Sequence, residues 1–246
     1  MKIDLNCDLG ESFGAYTIGN DEALLPLLTS ANIACGYHAG DPQVMARTVR
    51  LAAQHGVAVG AHPGFPDLAG FGRRAMQLSP EEIENCVLYQ VGALAAFARA
   101  AGVPLVHVKP HGALYNLAAG DPAIAAAIAR GAASFSRDLI LVGLANSAAM
   151  AEAAQAAGLR FAAEAFADRV YNPDGTLQSR RIAGSLITDP ARAAAQAVRI
   201  AHDGTHVAIH ADTLCLHGDN PAALANAQAV RQALAAAGIE VQALVK

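Results

Sequence analysis

The sequence lacks the glycine-rich motifs that mark nucleotide-binding and hydrolase sites. None of its 246 residues form a G-x-x-x-x-G-K-[ST] loop or a G-x-G-x-x-G turn opening a helix after a strand. Neither a P-loop nor a dinucleotide-binding fold is therefore indicated. A G-x-S-x-G elbow is also missing, which argues against a serine hydrolase. Without an H-E-x-x-H pattern, the sequence does not specify zinc ligands.

Cysteines and positive charges are too few and too scattered for several protein classes. The four cysteines form no C-x-x-C pair, so a disulfide framework or structural zinc site is not expected and a reducing cytoplasm fits best. The net charge is −4 without a run of lysine or arginine, which argues against nucleic acid or an anionic membrane as partner. The chain starts in a strand without a basic leader, and its alanine-rich stretches are interrupted by Arg, Asp or Gln, so no membrane span is predicted.

Strand-like and helix-like segments alternate along the whole chain, which is 54% hydrophobic and 15% charged. This alternation predicts an α/β fold with a parallel sheet and right-handed crossovers. Short connections leave no domain boundary, so residues 1–246 are expected to form one domain, long enough for an α/β barrel. Strands are predicted to begin near Ile3, Ser30, Gly56, Leu105, Leu139, Arg160 and Val207, with a short last strand from Ile239 to Leu244. Helices are predicted to begin at Asp41-Pro42, Ser79-Pro80, Asp121-Pro122 and Asp189-Pro190.

The segment from Leu105 to Asn116 changes from an apolar strand to polar residues, proline and glycine. His107, Lys109 and His111 have the same parity, so an extended backbone would direct all three to one face. Lys109 is also the only lysine between Lys2 and Lys246. A chemical role for Lys109 is predicted, against the alternative of an amine that reaches water from a strand end.

Polar residues also alternate with apolar ones in the first strand, where Asp4, Asn6 and Asp8 share a face. That face either lines a site or belongs to an edge strand in contact with water. Asp41 is interpreted either as a helix cap or as a site residue. His210 and Asp212 share a face in the predicted seventh strand.

Side chains able to act as acids, bases or metal ligands follow most of the strands, where the carboxyl edge of a parallel sheet binds ligands. An active-site cleft is therefore predicted there, with either acid–base or metal chemistry. Its candidate residues are Asp8, Glu11, His38, His62, Lys109, His111, Glu164, Asp168, Arg169, Asp212 and His217.

Six blocks of sequence resemble the LamB/YcsF family of 5-oxoprolinase A subunits, and the resemblance extends from Ile3 to about Val241. The segment before Val207 is shorter than in some members. The blocks are Asp4–Glu11, Ser30–Pro42, Gly60–Arg74, Val108–Asn116, Glu164–Tyr171 and His217–Asp219.

The resemblance implies a fold similar to the irregular β/α barrel of the glycoside hydrolase/deacetylase type, with about seven strands. It also implies ATP-dependent hydrolysis of the lactam of 5-oxoproline (pyroglutamate) to L-glutamate, in a complex with subunits B and C. ATP would bring a divalent cation such as Mg²⁺, and a partner subunit would help to bind or use ATP, which would explain the missing P-loop. No tightly bound metal is specified.

Residue types and positions within the blocks suggest hypothetical roles. Phosphorylation of the lactam oxygen would create a leaving group, Asp8, His38 or His62 would activate water, and Lys109 or Arg73 would stabilise negative charge. Arg169 or Arg181 would pair with the substrate carboxylate. The expected catalytic residues are Asp8, Glu11, His38, His62, Lys109 and His111. The expected substrate-binding residues are Asn6, Arg73, Tyr115, Glu164, Asp168, Arg169, Arg181, Asp212 and His217.

Two other functions remain open from the sequence. The strand-end carboxylates and histidines would also suit a stand-alone metal-dependent amidase or deacetylase. Alternatively, the chain would be a non-catalytic subunit that presents substrate to its partners.

Overall fold

Helices follow most of the strands in a computed structural model that describes residues 1–180, 182–203 and 210–244. The strands are β1 (Lys2–Leu9), β2 (Ser30–Ala34), β3 (Ala58–His62), β4 (Leu105–Val108), β5 (Ile140–Leu144), β6 (Arg160–Phe166), β7 (Thr213–His217) and β8 (Glu240–Val241). The α-helices are α1 (Asp21–Leu24), α2 (Pro42–Gln54), α3 (Pro80–Ala100), α4 (Gly112–Ala118), α5 (Pro122–Phe135), α6 (Ala148–Ala157), α7 (Pro190–Asp203) and α8 (Ala223–Ala236). Short 3-10 turns lie at Leu25–Leu27 and Leu68–Gly70.

The first seven strands form a closed parallel barrel. They pair in chain order from β2 to β7, and β1 closes the ring by pairing with both β7 and β2. The two-residue strand β8 joins the start of β1, where Lys2 pairs with Glu240. The prediction of an irregular α/β barrel with about seven parallel strands is confirmed. Among the described residues, no helix has the length and apolar character needed to cross a bilayer.

Short capping signals start the long helices at the predicted positions. The Asp41 side chain accepts hydrogen bonds from the backbone N–H groups of Gln43 and Val44, so its role in the structure is that of a cap. Ser79 and Glu82 form the reciprocal capping box of α3. A proline at the first position of each helix loses no hydrogen bond, because that N–H has no partner within the helix.

Three predicted details differ from the structure. Strand β7 begins at Thr213, while residues 207–209 lie outside the described part of the chain. The last strand is only Glu240–Val241. The seven-residue helix α4 directly after His111 was not predicted; it buries Leu114, Tyr115 and Ala118, so packing stabilises a helix too short to form alone.

The barrel has an apolar outer surface and a largely polar interior. Alternate strand residues such as Leu5, Ile33 and Leu214 belong to the main hydrophobic cluster, which includes the buried faces of the helices. Inside the ring, hydrogen bonds join strands that are not neighbours, as between Asn6 of β1 and Glu164 of β6. A smaller interior apolar cluster contains Ile140, Val142, Ala162 and Leu244.

Candidate active site

A cleft of about 600 Å³ opens at the carboxyl ends of the strands. Its walls include the loops after β1, β3, β4, β6 and β7. This is the edge at which β/α barrels bind their ligands, because the loops there vary while the barrel holds them in place. The volume suits a small-molecule ligand.

Lys109 lies at the base of this cleft, directly after β4. Its ammonium Nζ is 2.8 Å from Asp8 Oδ1, 2.9 Å from Glu164 Oε1 and 3.0 Å from Cys215 Sγ. Burial penalises the charged amine, but the Asp8 and Glu164 carboxylates outweigh this and raise the pKa of Lys109 well above its usual value. Lys109 is therefore a buried cation fixed between two carboxylates, and the alternative of an amine in water is excluded by its 2% exposure.

Polar side chains of the barrel interior hold the ion cluster from below. Asn6 donates to Glu164 Oε1 at 3.1 Å and to Thr213 Oγ1 at 2.6 Å. Asn32 donates to Asn6 Oδ1 and Asp8 Oδ1, at 2.7 and 2.9 Å, and His107 Nε2 lies 2.8 Å from Asn32 Oδ1. These contacts satisfy buried polar groups that would otherwise be costly, and they exclude the alternative of a water-exposed edge strand for β1.

His107 needs a glycine on the neighbouring strand. Gly60 pairs with His107 across β3 and β4, and a Cβ at Gly60 would lie 2.0 Å from His107 Nε2. Burial lowers the pKa of His107 to about 3, so its imidazole is neutral at physiological pH.

A second group of buried side chains lies beside the ion cluster. His62 Nε2 is 3.0 Å from His111 Nδ1 and 3.4 Å from Asp8 Oδ2. Glu11 Oε1 is 3.5 Å from His111 Nδ1 and 3.4 Å from His38 Nε2. The His38 and His111 rings stack, with 3.7 Å between their centroids. Burial, together with the charge of Asp8, raises the pKa of Glu11 well above its usual value, and burial lowers the pKa of His38 and of His111.

His217 and Asp168 form a dyad on the opposite wall. His217 Nδ1 is 2.8 Å from Asp168 Oδ1, so it donates to the carboxylate and leaves Nε2 as the nitrogen available to a ligand. Asp168 Oδ2 also accepts from the His217 backbone N–H and from Asn220 Nδ2. Burial would raise the pKa of Asp168, but His217 and these hydrogen bonds lower it below its usual value. Phe166 stacks on the His217 ring and fixes its plane.

Arginines line the outer part of the cleft. Arg73 and Arg180 both contact Asp219 Oδ2. Arg169 is 6% exposed and donates from Nη2 to the Gln178 carbonyl, while its Nε has no hydrogen-bond partner among the described residues. Burial, with repulsion from Arg180, lowers the pKa of Arg169 to about 10. The wall therefore retains positive charge and a free donor, which suits an anionic ligand.

The structure brings most of the predicted site residues together. Ten line the cleft or its base directly: Asp8, Glu11, His62, Arg73, Lys109, His111, Tyr115, Arg169 and His217, with Glu164 in contact with Lys109. Three lie behind them: Asn6 under Glu164, Asp168 behind His217, and His38 behind His111. Arg181 lies outside the described residues.

Asp212 is the exception, because it precedes β7 at the amino end of the barrel. Its side chain accepts from the Ala163 backbone N–H at 2.8 Å, and its own N–H donates to the Ala163 carbonyl. A substrate contact by Asp212 is therefore at odds with its position. The prediction placed the strand start too early and so moved Asp212 to the wrong end.

Sequence reasoning missed several residues that complete the site. Asn32 has the parity that identified Asn6, since Ser30 and Asn32 alternate with Ala31 and Ile33, so the same rule would have found it. Asp219 follows His217 by two residues and was interpreted only as a helix start. The other missed residues, which carry no pattern of their own, are Phe166, Arg180 and Cys215.

Comparison with known proteins places this geometry in context. The LamB/YcsF family profile matches residues 3–246. The chain is 61% identical over 249 residues to a protein of Methylococcus capsulatus named as the A subunit of a 5-oxoprolinase, covering 98% of this chain and 95% of that one. It is 53% identical to a lactam utilization protein of Thermus thermophilus, whose crystal structure superposes with a TM-score of 0.92 and covers 99% of this chain and 100% of that one.

A distant structural likeness concerns the fold alone. A polysaccharide deacetylase of Bacillus cereus is 12% identical, with a TM-score of 0.50 over 100% of this chain and 93% of that one. The expectation of a deacetylase-type barrel is confirmed by this likeness. At such low identity it carries no information about the reaction or its residues.

Proposed function

This chain belongs to the LamB/YcsF family, and from that membership we propose that it is the A subunit of an ATP-dependent 5-oxoprolinase that opens the lactam of 5-oxoproline to give L-glutamate. The observation that carries the proposal is the 61% identity, over 98% of this chain, to the Methylococcus capsulatus protein that bears this name. A protein named as one subunit belongs to a complex. We assign ATP use, with its Mg²⁺, to the assembly with subunits B and C.

The chemistry of an unstrained lactam explains the use of ATP. Transfer of the terminal phosphoryl group of ATP to the carbonyl oxygen would activate the ring carbon and release ADP. Water would then add to that carbon, and the ring C–N bond would break as the nitrogen takes a proton. The resulting acyl phosphate would react with a second water to give glutamate and phosphate. The protein must therefore bind a small anion, stabilise charge on oxygen and move protons.

The cleft contains groups suited to each task. We assign the substrate carboxylate to Arg169, whose buried Nε lacks a partner among the described residues. Lys109 would stabilise negative charge at the base of the cleft, and Arg73 at its outer part. We assign proton transfer to His217 Nε2, because Asp168 holds the other ring nitrogen at 2.8 Å. This arrangement resembles other catalytic histidines oriented by a carboxylate.

The proposal is tested by glutamate release from 5-oxoproline, with and without ATP, by this chain alone and together with subunits B and C. Release is expected only from the complete mixture with ATP. Asp168→Asn should reduce the rate in that mixture, whereas replacement of the exposed His55 by glutamine is the matched control and should not. Full activity of the two partner subunits without this chain would refute the proposal.

A second candidate is a stand-alone metal-dependent amidase. The buried group of Glu11, His38, His62 and His111 favours it, because these are residue types that bind metals. ATP-independent release of glutamate, or hydrolysis of a simple amide, by the isolated chain would support this alternative. If no variant of the cleft affects the complex, the chain only presents substrate to its partners.

A further inference from the structure

Two backbone carbonyls fix the protonation of His62 and His111. His62 Nδ1 is 2.7 Å from the Lys109 carbonyl oxygen, and His111 Nε2 is 2.8 Å from the Phe71 carbonyl oxygen. A carbonyl only accepts, so each of these ring nitrogens carries the hydrogen. In the neutral rings, the remaining nitrogens, His62 Nε2 and His111 Nδ1, are therefore both lone-pair acceptors.

These two acceptor nitrogens face each other at 3.0 Å. Two lone pairs at this distance repel unless a cation lies between or beside them. The backbone that orients one of them is itself unusual: among the described residues, Phe71 is the one non-glycine residue with a positive φ, at 53°. Strained backbone of this kind is typical of functional sites. Metal-bound histidines commonly donate their second nitrogen to a backbone carbonyl in this way.

Glu11 adds a carboxylate oxygen to the same place. Its Oε1 is 3.5 Å from His111 Nδ1, and it has no hydrogen-bond partner among the described residues although Glu11 is only 4% exposed. Bonds of 2.0–2.1 Å to a tetrahedral ion imply about 3.3 Å between neighbouring ligand atoms. The observed 3.0 and 3.5 Å lie on either side of that value.

His38 is close enough to be a ligand, but its ring orientation excludes it. The His38 and His111 rings are parallel within 3° and their centroids are 3.7 Å apart. A metal lies near the plane of each imidazole that binds it, and two stacked planes do not share such a point. The His62 ring, in contrast, is at 88° to that of His111, so their planes intersect. His38 Nε2 lies 3.4 Å from Glu11 Oε1, where it positions the carboxylate.

The other group of possible ligands, Asp8, Cys215 and His217, already contains a cation. The Lys109 ammonium is 2.8 Å from Asp8 Oδ1 and 3.0 Å from Cys215 Sγ. A metal ion there would be repelled by this buried positive charge at close range. Only the histidine group therefore has buried acceptors that face one another without a positive partner, among the described residues.

We propose that His62 Nε2, His111 Nδ1 and Glu11 Oε1 bind one divalent transition-metal ion, with Zn²⁺ as the best-matched probe. Two imidazoles and a carboxylate suit zinc and its neighbours, whereas Mg²⁺ prefers oxygen ligands alone. All three residues line the cleft, so an ion there would be accessible to a ligand. The inference depends on the geometry of these side chains and not on the proposed oxoprolinase activity.

The test is direct measurement of bound metal on the full, tag-free chain. The chelator-treated protein is titrated with Zn²⁺ by calorimetry, and its zinc content is determined after desalting. One ion per chain is expected. The variants His111→Gln and Glu11→Gln should each weaken binding at least about 100-fold, since even residues behind the ligands are worth 10–100-fold. His38→Asn should bind with about 10-fold lower affinity, and His55→Gln, at an exposed histidine, should bind as the wild type does.

Folding of each variant is checked by circular dichroism, and a second measurement needs no variant. In the ¹⁵N spectrum of the histidine side chains, Zn²⁺ should shift His62 Nε2 and His111 Nδ1, while His62 Nδ1 and His111 Nε2 keep their hydrogens. A wild-type chain that takes up no Zn²⁺ would overturn the proposal. So would a His62–His111 pair that shares a proton and is unchanged by the metal. Both readouts are independent of turnover, so absent oxoprolinase activity leaves them unaffected, and absent metal binding leaves the oxoprolinase assay to be judged separately.

Discussion

Replacement of Lys109 by methionine tests whether the buried ion cluster is essential to the fold. Met keeps the length of the side chain but removes its positive charge. Asp8 and Glu164 would then remain buried without the ammonium that lies 2.8 and 2.9 Å from them. Removal of one partner from a buried ion cluster costs about 3–5 kcal/mol. For a chain of this size, each kcal/mol lowers the melting temperature by about 2–4 °C, so a decrease of about 10 °C is expected.

A second substitution in the same chain identifies the cause of that loss. Glu164→Gln removes one of the two unpaired carboxylates but keeps an oxygen that accepts from Asn6. The Lys109→Met/Glu164→Gln protein should therefore recover part of the lost free energy of unfolding, measured by urea denaturation. It should not recover glutamate release in the complete complex, because the cation in the cleft is still missing.

Lys2→Met is the matched control for the loss of a lysine. Its side chain is 62% exposed and its amine is 3.8 Å from Glu240, and such surface pairs are worth about 0–1 kcal/mol. If Lys109→Met melts as Lys2→Met does, or if Glu164→Gln only adds to the loss, the ion cluster does not have the role argued above.

Three further outcomes are expected. Gly60→Ala should destabilise the fold by about 3 kcal/mol, because the new Cβ would lie 2.0 Å from His107 Nε2; an unchanged urea midpoint would contradict this contact. Burial lowers the pKa of His107 from 6.5 to about 3, so only the unfolded chain gains a proton as the pH falls from 6.5 to 3, and stability should be full above this range and lost within it, by up to about 5 kcal/mol. His107→Gln should reduce the difference between the unfolding free energies at pH 7 and pH 4, and an equal difference in both proteins would refute the assignment. Asp168→Asn should lower kcat of the complete complex by about 10²–10⁴-fold with little change in KM, whereas a change in KM alone would show that the dyad with His217 only binds substrate.

The parity of polar residues in the strands predicted the interior of the barrel well. Asp4, Asn6 and Asp8 share a face in an extended chain, and in the structure all three form hydrogen bonds to side chains of other strands. The chemical role predicted for Lys109 is supported by its burial between carboxylates. These features could be predicted because a strand has a period of two and a buried charge needs partners.

The parts that could not be predicted depend on contacts distant in sequence. The acceptor state of His62 and His111 is set by the carbonyls of Lys109 and Phe71, and main-chain carbonyls leave no pattern in the sequence. The position of Asp212 required the start of β7 to within a few residues, and element boundaries are the least certain part of a sequence-based prediction. Helix α4 was missed because its propensity is weak and its stability comes from packing.

The polar interior of the barrel has a consequence for how the protein tolerates change. Because Asn6, Asn32, His107 and Glu164 are joined in one network of hydrogen bonds, the effect of replacing one depends on the identity of the others. A scan of single substitutions would therefore classify nearly every interior position as intolerant. A library that varies Asn6, Asn32 and Glu164 together should contain folded members absent from any such scan, so that new sequences for this barrel are reached by coordinated changes and rarely by independent steps.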